Sequence, residues 1–573
     1  MPGLAAALWL LGLFAAASLL RARGTPYEFA DRLRDALILG VLVPLTLAAV
    51  QLLYPATLWL ALGALVAAQL VRAGARPRAR APHDAAAIPY LTIAALAVVA
   101  WPPLMRPPLD GDTLSYHLPN AASWVHAHGF WTTDARYWWY PPGSETFAAA
   151  LYAVAGPFAV GWSGLAALLL LGTRIASWTR EAFAVPALAS DALAAATVTA
   201  LPLALQAGTL QNDVWLAAFF LEALRWPRAP VLAIAALIKP YGWIFAALAA
   251  AVARAPLRAW LAMLAAIAAW ALHDALLWHQ SLVAPAETST ANTWSSTVLA
   301  HGWSGLTLFV TVLGKTSPFA LIAYAAAFAA PLFTRGKLRA LGWAAFGAAA
   351  AFLAMPLAFA DWHPQLASGE SLRFAAPAIA AGAIVLARPV ARFAAVATPL
   401  LLASAAYGAA AVLAIFWNDA TARAAIGVAL VAVAAAWLSR RFETPWPVVA
   451  GITAATIATT ALAAHRPVGY YADALSIAGR PAELYAWIAR DRPAAVGGWG
   501  LRIGAVNALS PGSRAIDLPD EGACSAARAR GVVLIATAEA DRSAAFNARR
   551  LRAARACGRL VFASPDAIVA DPR

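Results

Sequence analysis

The chain has 573 residues, of which 62% are hydrophobic and only 12% are charged. Soluble domains carry about 25% charged residues, so the composition excludes an ordinary soluble protein and predicts an integral membrane protein. The net charge of +14 at pH 7 does not indicate a nucleic-acid partner, because the arginines cluster in short segments between apolar runs, as they do in cytoplasmic loops.

Four apolar segments precede the first long polar loop. Met1–Leu20 lacks the basic residues that open a signal peptide, which predicts an uncleaved first span. The next spans are predicted at Leu37–Leu53, Thr57–Val71 and near Ala86–Trp101. The positive-inside rule places the first basic loop in the cytoplasm and therefore the loop after the fourth span outside. That first basic loop contains Arg21, Arg23, Arg32 and Arg34.

The apolar runs that follow predict the rest of the membrane module. Leu151–Leu171 is expected to be one continuous span that returns to Arg174 and Arg180 inside, and Ala184–Leu205 and Val214–Leu224 form the next pair. Lys239-Pro240 interrupts a later run and predicts a re-entrant helical pair. The expected fold is an α-helical polytopic membrane protein with roughly 14–16 membrane segments.

The composition changes after Ala464. Short strand-like runs alternate with helical stretches between residues 465 and 573, which favours a small α/β domain on the outer side. The two cysteines of the chain, Cys524 and Cys557, both fall in this segment. In an oxidising periplasm they are expected to form a disulfide; a pair of buried thiols is the alternative.

These boundaries divide the chain into four parts. The predicted parts are N-terminal transmembrane helices (1–101), a first large outside loop with an acidic motif (102–145), a transmembrane catalytic module (146–464) and a soluble periplasmic α/β domain (465–573).

The most informative polar segment is Leu109–Pro119, in the first outside loop. Carboxylates are costly in lipid, and a partly buried carboxylate at the membrane surface can act as a general base toward a hydroxyl or an amine. Asp112 is the candidate for this role, and a helical start would place Tyr116 on the same face. Asp110 is expected either to cap that helix or to act as a second ligand. His117 is either a structural hydrogen-bonding residue or a ligand.

Two further acidic positions are predicted on the same side. Glu145 begins the next span, where a carboxylate complements the helix dipole. Gln211-Asn212-Asp213 lies at the outer end of a later span. Asp112 and Asp213 can share a divalent cation or divide acid and base roles; a merely solvated Asp213 is the alternative.

The candidate cations are Lys239, Arg373 and Lys315. A lysine inside the membrane is costly unless it pairs with an anion, such as a lipid phosphate, or extends to the interface. Arg373 can instead pair locally with Glu370. The sequence has no Walker-type phosphate loop, no HExxH and no CxxC, which disfavours ATP-driven transport and zincin chemistry.

These motifs resemble those of the GT-C superfamily of polytopic glycosyltransferases that use polyprenyl-phosphate sugars, in particular the protein mannosyltransferase and aminoarabinose transferase type. The loop motif Asp-x-Leu-x-Tyr-His-x-Pro is present at 112–119. The other matching positions are Tyr140-Pro141-Pro142, Glu145, Gln211-Asn212-Asp213, Lys239-Pro240, and Ser371-Leu372-Arg373-Phe374 before Pro377. Three spans precede the one that usually comes first in the family, and the acidic pair is Asp-Gly-Asp rather than adjacent.

The resemblance implies an inverting transfer of a hexose or pentose from a polyprenyl-phosphate donor to a lipid, glycan or protein of the envelope. The reaction would occur at the periplasmic face of a bacterial inner membrane. Asp112 would be the base, with Asp110 as the other candidate. A divalent cation shared by Asp112 and Asp213 is the one cofactor that these residues could hold. The resemblance assigns substrate contacts to Tyr116, His117, Tyr140, Glu145, Gln211, Asn212, Asp213, Lys239 and Arg373.

Two other classes of function remain open at this point. A transporter or flippase of lipid-linked sugars would also carry polar residues at broken helices, although near the membrane midplane. A non-catalytic scaffold for envelope assembly would tolerate the loss of Asp112. The carboxylates in an outside loop and the soluble C-terminal part favour the enzyme.

Overall fold

The computed structural model describes residues 2–19, 29–74, 88–108, 110–281, 297–355, 369–416, parts of 427–438, 446–466, 482–538 and 543–572. Within these ranges the chain forms an extensive helical module and a C-terminal domain built on one mixed sheet. The predicted class, a polytopic helical protein with a small C-terminal α/β domain, is confirmed. The predicted loop residues Arg21, Arg23 and Leu109 lie outside the described ranges.

Among the described residues before the polar loop, four helices lie at the positions of the predicted spans. They are α1 (Pro2–Leu19), α2 (Phe29–Ala49), α3 (Pro55–Gly74) and α4 (Tyr90–Leu104). The first three pack on one another and on the helix that follows the loop, so they form part of the same apolar core.

The polar loop leads into the central helices. They are a π-helical turn (Thr113–His117), α5 (Leu118–His126), α6 (Gly143–Ala155), α7 (Trp162–Phe183), α8 (Ala187–Val198), α9 (Leu201–Ala204), α10 (Asp213–Arg225), α11 (Ala229–Leu237), α12 (Gly242–Val252) and α13 (Leu257–Leu277). The predicted break at Lys239-Pro240 separates α11 from α12.

The prediction of one continuous span over Leu151–Leu171 is wrong. Gly156 adopts φ 81° at the end of α6, a backbone conformation that favours glycine, and Pro157 cannot donate the next helical hydrogen bond. The helix therefore stops and α7 begins at Trp162. The predicted span Ala184–Leu205 is likewise divided into α8 and α9.

The later helices complete the membrane module. They are α14 (Gly302–Thr316), α15 (Pro318–Phe333), α16 (Arg339–Ala354), a 3₁₀ turn (Glu370–Ala375), α17 (Ala376–Arg392), α18 (Ala394–Phe416) and α19 (Trp446–Ala464). In the described part of the chain, six helices are long and apolar enough to cross a membrane, and six more apolar helices have 10–17 residues.

Two arginines predicted in cytoplasmic loops are instead buried inside helices. Arg34 lies in α2 and Arg174 in α7, with 2% and 0% of the residue exposed. Arg174 contacts Glu222 of α10 at 2.6 Å and Asp31 of α2 at 2.7 Å, and Arg34 contacts Asp31 at 2.9 Å. Because buried charges must be paired, this cluster links three helices.

The described residues of the C-terminal domain form a sheet of five strands in the order β2-β1-β3-β5-β4. Strands β1 (Ala495–Trp499), β2 (Arg514–Asp517) and β3 (Val533–Thr537) are parallel, whereas β5 (Ala567–Asp571) pairs antiparallel with β3 and with β4 (Arg559–Ala563). The helices are α20 (Ala482–Asp491), α21 (Gly504–Leu509), α22 (Ala523–Arg530) and α23 (Ala544–Arg555). A disulfide joins Cys524 in α22 to Cys557, which precedes β4.

The C-terminal domain is docked on the polar loop rather than separate from it. Arg514 binds the carboxylate of Asp134 through two hydrogen bonds of 2.7 and 2.9 Å. The Asp517 carboxylate accepts the backbone N–H of Arg136 at 2.8 Å, and a carbonyl of the domain lies 2.8 Å from the ring of His126. The loop and the domain therefore lie on the same side of the helical module.

Candidate active site

Asp112 lies at the start of the π-helical turn Thr113–His117. A π-helix was not predicted; the expected feature was an ordinary helical start. In the folded turn the Tyr116 side chain lies near the Asp112 carboxylate and lowers its pKa, so the two side chains do meet. π-helical turns occur often at functional sites.

Arg373 forms a hydrogen-bonded ion pair with Asp112. It comes from the 3₁₀ turn Glu370–Ala375 that precedes α17, far along the chain. Burial by itself raises the pKa of Asp112, but electrostatic attraction, from Arg373 above all, outweighs it and holds the pKa below its usual value. The Asp112 carboxylate is therefore ionised at neutral pH.

Asp213 is the second carboxylate of the site. It begins α10 and forms a hydrogen-bonded ion pair with Lys239, and it accepts a 3.3 Å hydrogen bond from Tyr241. Its other oxygen lies 3.3 Å from Nε of Arg373, although the two are not aligned for a hydrogen bond. The side chain of Asp213 is 2% exposed and that of Asp112 is 26% exposed, so Asp112 is the carboxylate that a substrate can reach.

Arg373 thus connects the two carboxylates, and Lys239 adds a second positive charge behind them. Both cations also pack near the ring of Phe374, at 5.0 Å for Cζ of Arg373 and 4.8 Å for Nζ of Lys239. The four ionised groups come from a loop, a helix start, the break between α11 and α12, and the turn before α17. Asp112, Arg373, Asp213 and Lys239 therefore form a row of neighbouring groups in which negative and positive charges alternate.

Asp110 has a different environment. Its carboxylate accepts the backbone N–H of Thr113 at 2.8 Å and a longer contact of 3.4 Å from Gln211. Burial raises the pKa of Asp110, since the hydrogen bonds from Thr113 only partly offset the loss of solvent. Asp110 is therefore placed to cap the turn, and Gln211 is placed to hold Asp110.

His117 and Glu145 form a separate buried pair beside the site. Nδ1 of His117 lies 2.7 Å from Glu145, which also accepts a 2.9 Å hydrogen bond from Ser144 and a 3.3 Å contact from Asn212. The residues His117 and Glu145 are 1% and 2% exposed. This geometry favours the structural alternative for His117, because the pair ties the polar loop to the start of α6.

Aromatic rings line the loop next to Asp112. The ring centroids of Tyr137 and Tyr140 lie 5.0 and 5.1 Å from that of Tyr116. Burial raises the pKa of Tyr137 to about 12 and also raises the pKa values of Tyr116 and Tyr140, so all three hydroxyls stay protonated at neutral pH. They can donate hydrogen bonds or pack against a sugar ring.

Sequence reasoning missed two residues of this group, Tyr137 and Tyr241, and it named Phe374 only as part of the motif Ser371-Leu372-Arg373-Phe374, without a role. Tyr241 follows the Lys239-Pro240 break by one position and Phe374 follows Arg373 directly, so their proximity to predicted site residues was the available signal. The side chain of Glu370, the alternative partner of Arg373, lies outside the described residues. Lys315 is exposed on α14 and is not among the charges that act on Asp112.

Asp112 and Asp213 do not fit a shared divalent cation in this arrangement, because the guanidinium of Arg373 lies between them. Among the residues with described positions, no group of three or more His, Cys, Asp or Glu side chains is arranged to hold a metal ion. The geometry fits the alternative in which the two carboxylates have different roles.

No protein-family description and no curated protein matches this sequence. Two solved structures are similar to the chain, and both are crystal structures of ArnT from Cupriavidus metallidurans. The one bound to undecaprenyl phosphate has 13% sequence identity and a TM-score of 0.46 over 84% of this chain and 97% of that chain. The apo state has 14% identity and a TM-score of 0.49 over 83% and 97%.

Proposed function

We propose that the protein is a membrane glycosyltransferase that moves a sugar from a polyprenyl-phosphate donor to an envelope acceptor at the periplasmic face of a bacterial inner membrane. The observation that carries the proposal is the partly exposed carboxylate of Asp112, paired with Arg373 at the end of an apolar helical module. A base and a phosphate-binding cation are thereby side by side, where a lipid-anchored phosphate would lie.

The proposed reaction is a single displacement. An acceptor oxygen or nitrogen attacks the anomeric carbon while the bond from that carbon to the phosphate oxygen breaks, and its electron pair leaves with the polyprenyl phosphate. The acceptor proton passes to the Asp112 carboxylate. Attack from the face opposite the phosphate inverts the anomeric configuration.

The pairing of Asp112 with Arg373 also accounts for the strength of the base. In the free site Arg373 keeps the pKa of Asp112 low, which makes the carboxylate a weak base. When a donor phosphate engages the Arg373 guanidinium, the attraction on Asp112 decreases and its pKa rises, because burial is then less opposed. Donor binding therefore prepares the base.

Arg373 and Lys239 are the groups that would stabilise the phosphate as it leaves. Charge develops on that phosphate in the transition state, and fixed cations in a site with little water stabilise it strongly. Nε of Arg373 is not aligned with Asp213 for a hydrogen bond, so this donor can turn toward a phosphate oxygen.

A flippase of lipid-linked sugars is the rival proposal. Such a transporter would carry its charged groups near the membrane midplane, at the substrate pathway. Here the four paired charges lie at the ends of helices and in the polar loop, beneath a docked C-terminal domain. This placement favours surface chemistry over passage through the module.

The decisive experiment uses purified full-length protein with radiolabelled polyprenyl-phosphate sugars and bacterial envelope extract as the acceptor source. Transfer that depends on Asp112, with Asp112→Asn as the inactive variant and Lys315→Gln as a matched surface control, supports the enzyme. Transbilayer movement of the lipid-linked sugar in proteoliposomes, without a covalent product, supports the flippase and contradicts the enzyme.

The side of the membrane is tested separately. Cysteines introduced at Ser115 and Ser543 are expected to react with an impermeant thiol reagent from the periplasmic side of intact cells. Labelling of both positions only after the cytoplasm is opened would reverse the proposed orientation.

A further inference from the structure

The C-terminal domain places an arginine on the acidic loop. Arg502 follows β1, and its guanidinium lies against Gly111, the residue between Asp110 and Asp112. A Cβ atom built on Gly111 would lie 3.4 Å from Nη1 and 3.6 Å from Cζ of Arg502. The residue is exposed, so a ligand over the loop can reach it.

The position of Arg502 is set by close backbone packing. A Cβ atom on Gly504 would lie 2.5–2.9 Å from backbone atoms of Leu114, closer than side-chain atoms approach one another. Only glycine allows the segment after β1 to approach the π-helical turn this closely. Gly500, with φ 75°, turns the chain between β1 and Arg502.

The topology of the sheet places the segment after β1 where ligands commonly bind in α/β sheets. From β1 the chain goes to β2 on one side and then to β3 on the other, with both strands parallel to β1. In open α/β sheets, ligands bind outside the carboxyl ends of the strands at such a reversal of strand order. Here that end of β1 is turned to the loop that holds Asp112.

The charges of the site show what this arginine adds. The carboxylates of Asp112 and Asp213 are paired with the cations of Arg373 and Lys239, and Asp110 adds a third carboxyl group beside them, so the group has no surplus of positive charge. An incoming phosphate brings negative charge that this group does not offset. The guanidinium of Arg502 places a further positive charge next to Asp112, and charge-assisted hydrogen bonds from arginine to phosphate are strong and directional.

We propose that Arg502 is a substrate-binding residue of the active site, supplied by the C-terminal domain, and that it binds a phosphate group held over the Asp110–Asp112 loop. The proposal rests on the proposed function in that it places Arg502 in the active site of a glycosyltransferase. Phosphate binding itself does not depend on that function, since the phosphate can belong to the lipid donor or to a free or acceptor-borne group. It gives the C-terminal domain a direct part in substrate recognition.

The test measures the binding of two probes, a polyprenyl phosphate and inorganic phosphate, to the full-length protein in nanodiscs. The variants are Arg502→Gln and Arg502→Lys, and Arg559→Gln is the matched control, because Arg559 is 81% exposed on strand β4 of the same domain. Melting temperatures without ligand show whether each variant is folded. We expect Arg502→Gln to weaken binding roughly ten- to a hundredfold, Arg502→Lys to keep part of the affinity and Arg559→Gln to have no effect.

The two probes distinguish the sources of the phosphate. Weaker polyprenyl phosphate binding in Arg502→Gln assigns Arg502 to the lipid donor, and weaker binding of inorganic phosphate alone assigns it to a phosphate that the lipid does not carry. Unchanged binding of both probes overturns the proposal, as does a lower melting temperature with unchanged affinity, which would show a structural role.

The failure of the proposed function has a different signature. A wild-type protein that binds inorganic phosphate through Arg502, yet binds no polyprenyl phosphate and transfers no sugar, contradicts the glycosyltransferase and keeps the Arg502 site. A wild-type protein that binds neither probe contradicts both proposals.

Discussion

Arg373 forms an ion pair with Asp112 across 261 residues of sequence. The pair joins the acidic loop before α5 to the turn before α17, so the base and the cation of the proposed reaction come from segments far apart in the sequence. Formation of the site therefore requires these two segments to be brought together by the folded helices between them. The two groups also control each other, since each charge shifts the protonation of the other.

Asp112→Asn is expected to lower the rate of transfer roughly 10²–10⁴-fold without loss of folding, because general bases contribute about that much. Asp110→Asn is expected to cost far less, since Asp110 caps the backbone of Thr113 and asparagine can accept the same hydrogen bond. Single-turnover rates of both variants make the comparison. If Asp110→Asn were inactive and Asp112→Asn active, Asp110 would be the base instead of Asp112.

Lys239 and Asp213 are expected to behave as a coupled pair. Both are buried, with 7% and 2% of the side chain exposed, and loss of one partner of a buried pair costs about 3–5 kcal/mol because the other charge is left alone. Lys239→Gln and Asp213→Asn should each lower the free energy of unfolding, and the double variant should lose less than their sum. Strict additivity in denaturant titrations would contradict the coupling.

The acidic loop and the order of its motifs were predictable from sequence because polar residues stand out in an apolar chain. Asp112, Tyr116, Asp213, Lys239 and Arg373 were all singled out, and the structure brings them together. Hydropathy identified most helices for the same reason, and it placed the break between α11 and α12 correctly because proline and lysine interrupt apolar periodicity.

Contacts between distant segments were not predictable in this way. The positive-inside rule assigned Arg34 and Arg174 to loops, because a sequence pattern does not show that Asp31 and Glu222 will surround them in the fold. A hydropathy average over the run Leu151–Leu171 also does not detect the helix end at Gly156, which results from the positive φ of that glycine. The docking of the C-terminal domain depends on a complementary fit between surfaces, which has no local sequence signal.

The buried charge cluster gives a further prediction. Glu222→Gln removes a carboxylate that contacts Arg174 at 2.6 Å in a fully buried position, and an uncompensated buried charge costs about 3–5 kcal/mol. We expect a large loss of thermal stability with little change in polyprenyl phosphate affinity once the protein is folded. Glu181→Gln on the exposed pair with Arg225 is the control, since exposed pairs contribute about 0–1 kcal/mol. Equal effects of the two variants would contradict the structural role.

Chelation is expected to leave sugar transfer unchanged. The guanidinium of Arg373 already joins Asp112 and Asp213, and a cation held by both carboxylates would have to displace it. Transfer is measured after treatment with EDTA and dialysis, and again after addition of Mg²⁺ or Mn²⁺. A loss of activity that one of these ions restores would show that the two carboxylates separate from Arg373 to bind metal during the reaction.

The docking of the C-terminal domain is expected to weaken as the pH rises. Burial raises the pKa of Asp517 to about 7, from an ordinary value of 3.8, and its carboxylate accepts the backbone N–H of Arg136 in the loop. Between these two values the folded state keeps a proton that the unfolded state releases, so the contribution of Asp517 to stability falls continuously from about pH 4 to about pH 7 and is constant above that range. Asp517→Asn should remove this slope, whereas Asp491→Asn on an exposed pair should retain it. Melting temperatures and limited proteolysis of the full-length protein between pH 5 and pH 8 provide the measurement, and a wild-type protein that becomes more stable across this range relative to Asp517→Asn would contradict the assignment.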